Sequence, residues 1–308
     1  MGKRNAKYLL MNRTSVAVLG ATGQFGTDLV EVLREDGKFE VVPLSHADCD
    51  CNDERKVARV IGSLHPDTVV NCAAYVRVDD CEEHASEAFN VNAIGALNVA
   101  RACASLHALC VYVSTDYVFD GTKDTPYVES DPTGPVNVYG VSKLAGEQMV
   151  RQAAPRWIIV RMASLFGKTG ARGKGGNFVE TVISKAQAGE ILRVVNDITM
   201  SPTYARDAAE ALALLLRTEA TGLFHVTNKG ACTWYGFAKA ISDLIGVGTA
   251  VVAVSSSEFP NRARRPKNSS LMSDQARREL RPWQDGLKAY LLEKGHIPEI
   301  SKQNAGSR

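Results

Sequence analysis

The chain has 308 residues, 45% hydrophobic and 23% charged, with a formal net charge of +2. Such a composition belongs to an ordinary globular protein, and so even a charge balance gives no reason to expect a nucleic-acid or membrane-surface partner. No apolar run approaches the length of a membrane span, and residues 1–13, basic and irregular, lack the apolar core of a signal peptide; they read as an N-terminal extension.

From residue 14 onward the pattern alternates. A strand near 15–20 runs into a helix near 24–35, and a strand near 39–44 is followed by a helix near 53–63. A strand near 67–71, a helix near 84–105 and a strand near 108–113 continue the series. This βαβ order predicts an α/β fold, a doubly wound parallel sheet that binds its ligand beyond the C-terminal strand ends. Gly20, Asn71 and Thr115 all fall at such ends. Residues 115–138 form a long polar stretch that delivers Tyr139 to the start of a helix, and Trp157-Ile158-Ile159-Val160 reads as the next strand. Beyond about residue 165 the pattern changes. A smaller, discontinuous C-terminal lobe (166–308) is expected to cover the Rossmann-type domain of 14–165, with returning segments near 194–227, where Val194–Thr203 and Leu223–Val226 rejoin the large sheet or its rim. Lys168 to Asn177 is a glycine-rich basic segment suited to a closing flap, and Asn261 to Lys267 is a second basic run whose arginines suit a phosphate-rich ligand.

Two motifs carry the chemistry. The first is Gly20-Ala21-Thr22-Gly23-Gln24-Phe25-Gly26, directly after Val16-Ala17-Val18-Leu19. A glycine-rich strand-to-helix turn lets the backbone approach a pyrophosphate, whose charge meets the helix N-terminus. The spacing is Gly-x-x-Gly-x-x-Gly rather than Gly-x-Gly-x-x-Gly. The second is Ser114 to Gly121 followed by Tyr139-Gly140-Val141-Ser142-Lys143. Tyr139 and Lys143, four apart, share one helical face, and an ammonium beside a phenol lowers its pKa so that it exchanges protons near neutrality. Thr115 is placed to offer a hydroxyl to the same substrate oxygen.

Other residues have plainer readings. The seven cysteines, an odd number without zinc spacing, read as reduced thiols of a cytoplasmic protein; His46, Cys49 and Cys51 sit in too short a segment to close a metal shell, and no metal site is expected. Asp79, Glu82 and Glu83 read as capping and solvating the helix near 84. Trp234 and Tyr235 read as lobe packing, His65, His107 and His225 as packed or surface histidines, and Asn92 and Asn98 as bonding backbone.

With these residues in hand, the chain resembles the extended short-chain dehydrogenase/reductases, and most of all the dTDP-4-dehydrorhamnose reductase family. The resemblance runs from about Thr14 to Tyr290. It rests on Gly20–Gly26, Asn71-Cys72-Ala73-Ala74-Tyr75, Val78-Asp79, Ser114–Gly121, Asn137-Val138-Tyr139-Gly140, Arg161, Gly176-Asn177-Phe178, Val195-Asn196-Asp197, Pro202-Thr203, Thr233-Trp234-Tyr235 and Arg265-Pro266. It implies reduction of the 4-keto group of a nucleotide-linked 6-deoxyhexose by NADH or NADPH. Tyr139 would then be the general acid, Lys143 would bond the nicotinamide ribose and depress the Tyr139 pKa, and Thr115 would polarise the carbonyl. Gly20, Thr22, Gly23, Gln24, Phe25 and Gly26 would form the pyrophosphate turn. Asp50 and Cys51 would meet the adenine, and Ala73, Ala74 and Tyr75 would line the groove. Val76, Asp116, Ser164, Asn177 and Arg265 would face the substrate. A homodimer is also implied.

The chain departs from the family at Val76, at Met162-Ala163-Ser164, where Thr-Ser-Trp is common, and across Asn196–Thr203, all on the substrate side. With Leu44-Ser45-His46-Ala47 ending the second strand, no carboxylate stands there to repel a 2′-phosphate, which favours NADP(H) while leaving NAD(H) open. Two other readings remain. One is a related epimerase or dehydratase, although dehydratases place Asp-Glu after the Thr and this chain has Asp116-Tyr117. The other is a non-catalytic NADP-binding subunit resembling the regulatory beta subunit of methionine adenosyltransferase.

Overall fold

The computed structural model describes residues 13–170, 176–259, 262–275 and 279–298. The N-terminal extension up to residue 12 and the middle of the glycine-rich flap lie outside the described residues.

Strands β1 (Thr14–Leu19), β2 (Phe39–Leu44), β3 (Thr68–Asn71), β4 (Leu109–Thr115), β5 (Trp157–Met162) and β10 (Gly222–His225) build one six-stranded sheet in the order β10-β5-β4-β3-β1-β2. Every neighbouring pair is parallel. Parallel strands are covered on both faces, so their residues are apolar throughout, and alternate ones belong to opposite layers. Val16 and Val18 pack with Phe25, Leu29 and Leu33 of α1 (Gln24–Asp36) and with Ala208 and Leu212 of α8 (Ala205–Arg217). Ala17 and Leu19 pack on the other side, with Val57 and Ile61 of α2 (Glu54–Leu64), Ala96 and Val99 of α5 (Gly95–Ser105), and Val150 of α6 (Val138–Ala153). The sheet is therefore doubly wound. The chain order reverses direction across the sheet between β1 and β3, where such folds open a ligand crevice.

A third core lies outside the sheet. It gathers Phe166, Tyr204, Val179 and Ile183 of α7 (Phe178–Gln187), Phe237 and Ile241 of α9 (Trp234–Ile245), and Leu287 and Tyr290 of α10 (Trp283–Glu293). Short ladders frame it. β6 (Leu165–Phe166) pairs with β9 (Thr203–Tyr204), β7 (Leu192–Val195) with β12 (Val251–Val254), and β8 (Thr199–Met200) with β11 (Cys232–Thr233). Of the two returning segments, Gly222–His225 is the edge of the large sheet. Val194–Thr203 does not join the sheet itself, because Leu192 and Val194 are buried in the third core and their strand is paired by β12, but its end reaches the rim, where Thr203 pairs with Leu165 just beyond β5.

The single helix expected near 84–105 is divided. α3 (Val78–Glu83) and α4 (Ala85–Phe89) precede a π turn at Asn90–Ile94, and only then does α5 begin. The wider turn aims Asn92 inward. Its side chain accepts from the Tyr75 backbone N–H at 2.8 Å and donates to Ser142 Oγ at 2.9 Å, while its carbonyl accepts from the Tyr112 hydroxyl at 2.7 Å. Asn98 donates to the Cys51 carbonyl at 2.9 Å. Both asparagines thus brace backbone, and Asn92 couples the segment after β3 to α6.

Candidate active site

A cavity of about 580 Å³ lies beyond the ends of β1, β3 and β4. At its nucleotide end, Gly20 has φ 71°, and a Cβ there would stand 2.9 Å from the Ala73 nitrogen. A Cβ on Gly26 would stand 2.3 Å from the Gly20 carbonyl oxygen. The first glycine makes the turn and the last lets α1 press against it. Gly20, Thr22, Gly23, Gln24 and Phe25 line the cavity, whereas Gly26 lies behind the turn. Gly23 is the N-cap of α1, with no side-chain cap and no acidic residue in the first turn. Its leading N–H groups therefore face the cavity as an anion site. Contrast α2, α6, α7 and α9, capped by Asp53, Asn137, Asn177 and Thr233.

Asp50 and Cys51, after β2, and Ala73, Ala74 and Tyr75, after β3, line the same end. Asp50 accepts from the Asn52 N–H at 3.0 Å, and the Asn71 side chain holds the Ala73 N–H at 3.1 Å. Asp48 folds back onto Ser45, accepting from its N–H at 2.9 Å and its hydroxyl at 2.6 Å, and is not among the lining residues. His46, Cys49, Asn52 and Cys72 also line this end. They sit in loops whose path depends on the sheet order, so sequence periodicity carried no signal for them.

Thr115, Tyr139 and Lys143 meet in the middle of the cavity. β4 ends at Thr115, whose hydroxyl donates to Asp116 Oδ1 at 2.9 Å and accepts from the Tyr117 N–H at 3.2 Å. α6 is set by its cap. Asn137 Oδ1 accepts from the Gly140 N–H at 2.8 Å, and its amide donates to the Arg264 carbonyl at 2.8 Å. Glu82 accepts from the Val138 N–H at 2.9 Å. Lys143 is buried, donates to the Val113 carbonyl at 2.6 Å and lies 4.1 Å from the centre of the Tyr112 ring. Burial pulls its pKa down to about 7 against the opposing charge of Glu147. The expected depression of Tyr139 is not found. Burial raises the phenol well above its ordinary value, and the neighbouring Thr115 hydroxyl pulls it the other way. The Lys143 ammonium, which donates to a backbone carbonyl of β4, does not offset that burial.

At the substrate end Val76, Asp116, Ser164 and Asn177 line the cavity. Asp116 is buried, its Oδ2 has no partner, and burial pushes its carboxyl up to about 6 against hydrogen bonds from Ser269 and Thr115. Ser164 holds φ 43°, a strained backbone for a residue with a side chain, of the kind that clusters at functional sites. Asn177 is committed elsewhere: it caps α7 through the Glu180 N–H at 3.0 Å and donates to the Gly167 carbonyl and the Tyr290 hydroxyl, each at 3.0 Å.

Arg265 does not line the cavity. Its guanidinium forks onto Asp79 at 3.1 and 2.8 Å and reaches the Ala263 carbonyl at 2.8 Å. Asp79 holds Arg265, whereas Glu82, which accepts from the Val138 N–H, and Glu83, which pairs with Arg262, are exposed at the helix start. Tyr117, Met162, Phe178 and Trp234 also line the cavity. Met162 stands in the segment that departs from the family, and Trp234 crosses Phe178 edge-on with centroids 4.8 Å apart, so it both packs the lobe and faces the cavity. Among the described residues, no group of three or more His, Cys, Asp or Glu is placed to hold a metal, and no helix is long and apolar enough to cross a membrane.

Residues 14–295 match the family described as the RmlD substrate binding domain. The spore coat polysaccharide biosynthesis protein SpsK of Bacillus subtilis is 39% identical over 285 residues, covering 91% of this chain and 98% of that protein. The dTDP-4-dehydrorhamnose reductase of Burkholderia thailandensis is 41% identical over 278 residues, covering 84% and 90%. The crystal structure of dTDP-4-dehydrorhamnose reductase from Bacillus anthracis, in complex with NADP, superposes with a TM-score of 0.87 at 36% identity, over 91% of this chain and 99% of that one. With the glycine cradle, the Tyr139–Lys143 helix and the third core all inside the matched range, the chain belongs to the dTDP-4-dehydrorhamnose reductase family.

Proposed function

We propose that this protein is an NADP(H)-dependent ketoreductase that reduces the 4-keto group of a nucleotide-linked 6-deoxyhexose. The observation that carries the reading is one cavity with an uncapped helix N-terminus behind a glycine cradle at one end and Thr115, Tyr139 and Lys143 at its middle. The residues fit a dinucleotide. Gly20 lets the turn close against the Ala73 backbone, the α1 N–H groups can donate to phosphate oxygens, and the buried Lys143 ammonium can meet ribose hydroxyls.

A reduced nicotinamide held by the glycine turn and Lys143 would supply the hydride for the carbonyl carbon. The chain supplies the proton and the electrostatics. As the C=O electron pair moves onto oxygen, Tyr139 gives up its phenolic proton to it, and the product is an alcohol. The Thr115 hydroxyl turns from Asp116 to orient that oxygen, and Lys143 stabilises the phenolate left behind. Asp116, with one buried oxygen lacking a partner, is placed to accept from a sugar hydroxyl. Val76 and Ser164 shape the sugar side.

The reading extends to a cytoplasmic homodimer. The free thiols at Cys49, Cys51, Cys72, Cys103, Cys110 and Cys232 support a reducing compartment, and the dimer is tested by light scattering on the purified protein.

The deciding experiment follows NADPH absorbance with dTDP-4-keto-6-deoxyhexoses, wild type beside Tyr139→Phe. Turnover in the wild type, reduced about 10²- to 10⁴-fold in the variant with NADPH affinity retained, is expected for loss of the proton donor alone. A wild type that binds NADPH and reduces none of these sugars would point to a different sugar or base, or to a regulatory subunit, which co-purification of a tight heterologous partner would then distinguish. A fully active Tyr139→Phe would remove Tyr139 from the chemistry.

A further inference from the structure

Behind the reacting residues lies a charged group that the proposed reaction does not use. Tyr139, Lys143 and Glu147 are spaced i, i+4, i+8 along α6, so they stack on one face. Lys143, Glu147 and Arg161 are 1%, 0% and 2% exposed. Glu147 Oε1 accepts from Ser114 Oγ at 2.5 Å and from Arg161 Nε at 2.8 Å, and its Oε2 accepts from Arg161 Nη2 at 2.7 Å. Ser114 and Arg161 are register partners on β4 and β5. Neither Glu147 nor Arg161 lines the cavity.

We infer that Glu147 is a positioning residue that keeps Lys143 charged in a site dry enough to neutralise it, and that Arg161 limits how strongly it does so. The inference rests on the ketoreductase reading, which gives Lys143 its task.

A buried ammonium without an anion loses its proton. Facing Lys143 are Glu147 from its own helix, Tyr112 and the Val113 carbonyl from β4, and Cys51 and Cys72 from the segments after β2 and β3, with Tyr139 one turn away on the same helix face. The phenols are held protonated, and burial likewise pushes the Cys51 and Cys72 thiols up, to about 11 and about 12. Among the described residues, Glu147 is then the counter-charge left. It is shared with Arg161, whose β10 neighbour His225 is held neutral by burial, its pKa pulled down to about 4. Three buried charges in the order cation, anion, cation thus make the protonation of Lys143 depend on a carboxylate that touches neither cofactor nor substrate. A bidentate guanidinium and a serine hydroxyl fix that carboxylate in place.

The test follows NADPH affinity by fluorescence, and turnover, from pH 6 to pH 10 in wild type, Glu147→Gln, Glu147→Asp and Arg161→Gln. Removing the carboxylate charge lets Lys143 deprotonate earlier. In Glu147→Gln the alkaline loss of affinity and of kcat should therefore move down by about one pH unit, a roughly tenfold deficit at pH 8 that shrinks to about twofold at pH 6. Glu147→Asp should restore most of it. Arg161→Gln frees Glu147 for Lys143 and should move the same limb up. A merely structural role would lower both plateaus without moving the midpoint, and a folded Glu147→Gln with the wild-type midpoint overturns the inference. Should Glu147→Gln fail to fold, Arg161→Gln decides by the sign of its shift. If the wild type reduces no keto-sugar, the ketoreductase reading falls, while the NADPH-affinity limbs still decide the role of Glu147.

Discussion

At the scale of single residues, Tyr139, Lys143 and Thr115 were legible because their chemistry is carried by residue type and by spacing within one helix or at one strand end. Arg265 was not. The basic run around it suited a phosphate, but Asp79, nearly two hundred positions earlier in the chain, takes its guanidinium. Arg265 is 18% and Asp79 39% exposed at the side chain, so the pair is a tether at the cavity edge of modest strength. Burial pushes the Asp79 carboxyl up, but Arg265 and the Ala263 N–H outweigh it and hold it below the ordinary range. A depressed folded-state pKa contributes stability at neutral pH that is lost as the pH falls through that value. Arg265→Ala and Asp79→Ala should therefore behave alike. Each should cost about 0.5–1.5 kcal/mol in urea unfolding at pH 7 and less under acid conditions, and the double variant should cost little more than either alone. Additive costs, or a substrate KM that rises for Arg265→Ala alone, would return Arg265 to the substrate.

At the scale of elements, helix periodicity located α1 closely, because an apolar stripe against a sheet is a local property of the sequence, and the Tyr139–Lys143 spacing marked the start of α6. The interruption of the 84–105 segment was invisible, since the π turn exists to aim Asn92 at Tyr75 and Ser142, partners brought in by other elements. Asp28 is a similar case. It lies on the buried face of α1, 1% exposed, with both oxygens unpartnered. Burial first, and then Glu293, push its carboxyl up to about 6, while Lys168 opposes. A raised folded-state pKa means that the native state holds the proton more tightly than the unfolded chain, so stability is lost as the pH rises from about 4 to about 6 and stays reduced above. Asp28→Asn should therefore stabilise the protein by on the order of 1–2 kcal/mol at pH 8, with the gain fading towards pH 4, read from urea midpoints at the two pH values. A gain independent of pH would mean that packing, rather than ionisation, governs the site.

At the scale of the whole molecule, the cavity is walled by the ends of β1, β3 and β4, by the start of α6, and by Ser164, Phe178 and Trp234 from the segments around the third core. No single element contains the site, so a ligand that fills it binds only the assembled fold. NADPH at about 100 times its dissociation constant should raise the unfolding free energy by about 2.7 kcal/mol, with a matching rise in Tm. The Tyr139→Phe protein should show the same rise, since it loses a proton donor and not the cradle. An unchanged Tm in the wild type would mean that the cavity does not hold the dinucleotide.

The sequence by itself determined the alternation of strands and helices, the glycine turn, the Tyr–Lys helix and the family, because each is written in spacings of a few residues or in ordered motifs. Tertiary structure alone decided which loops flank the nucleotide end, where Val194–Thr203 pairs, that Arg265 serves Asp79, and that Glu147 stands between Lys143 and Arg161. These depend on which strands become neighbours and on how deeply charge is buried, and both follow from the packing of distant segments rather than from any local pattern.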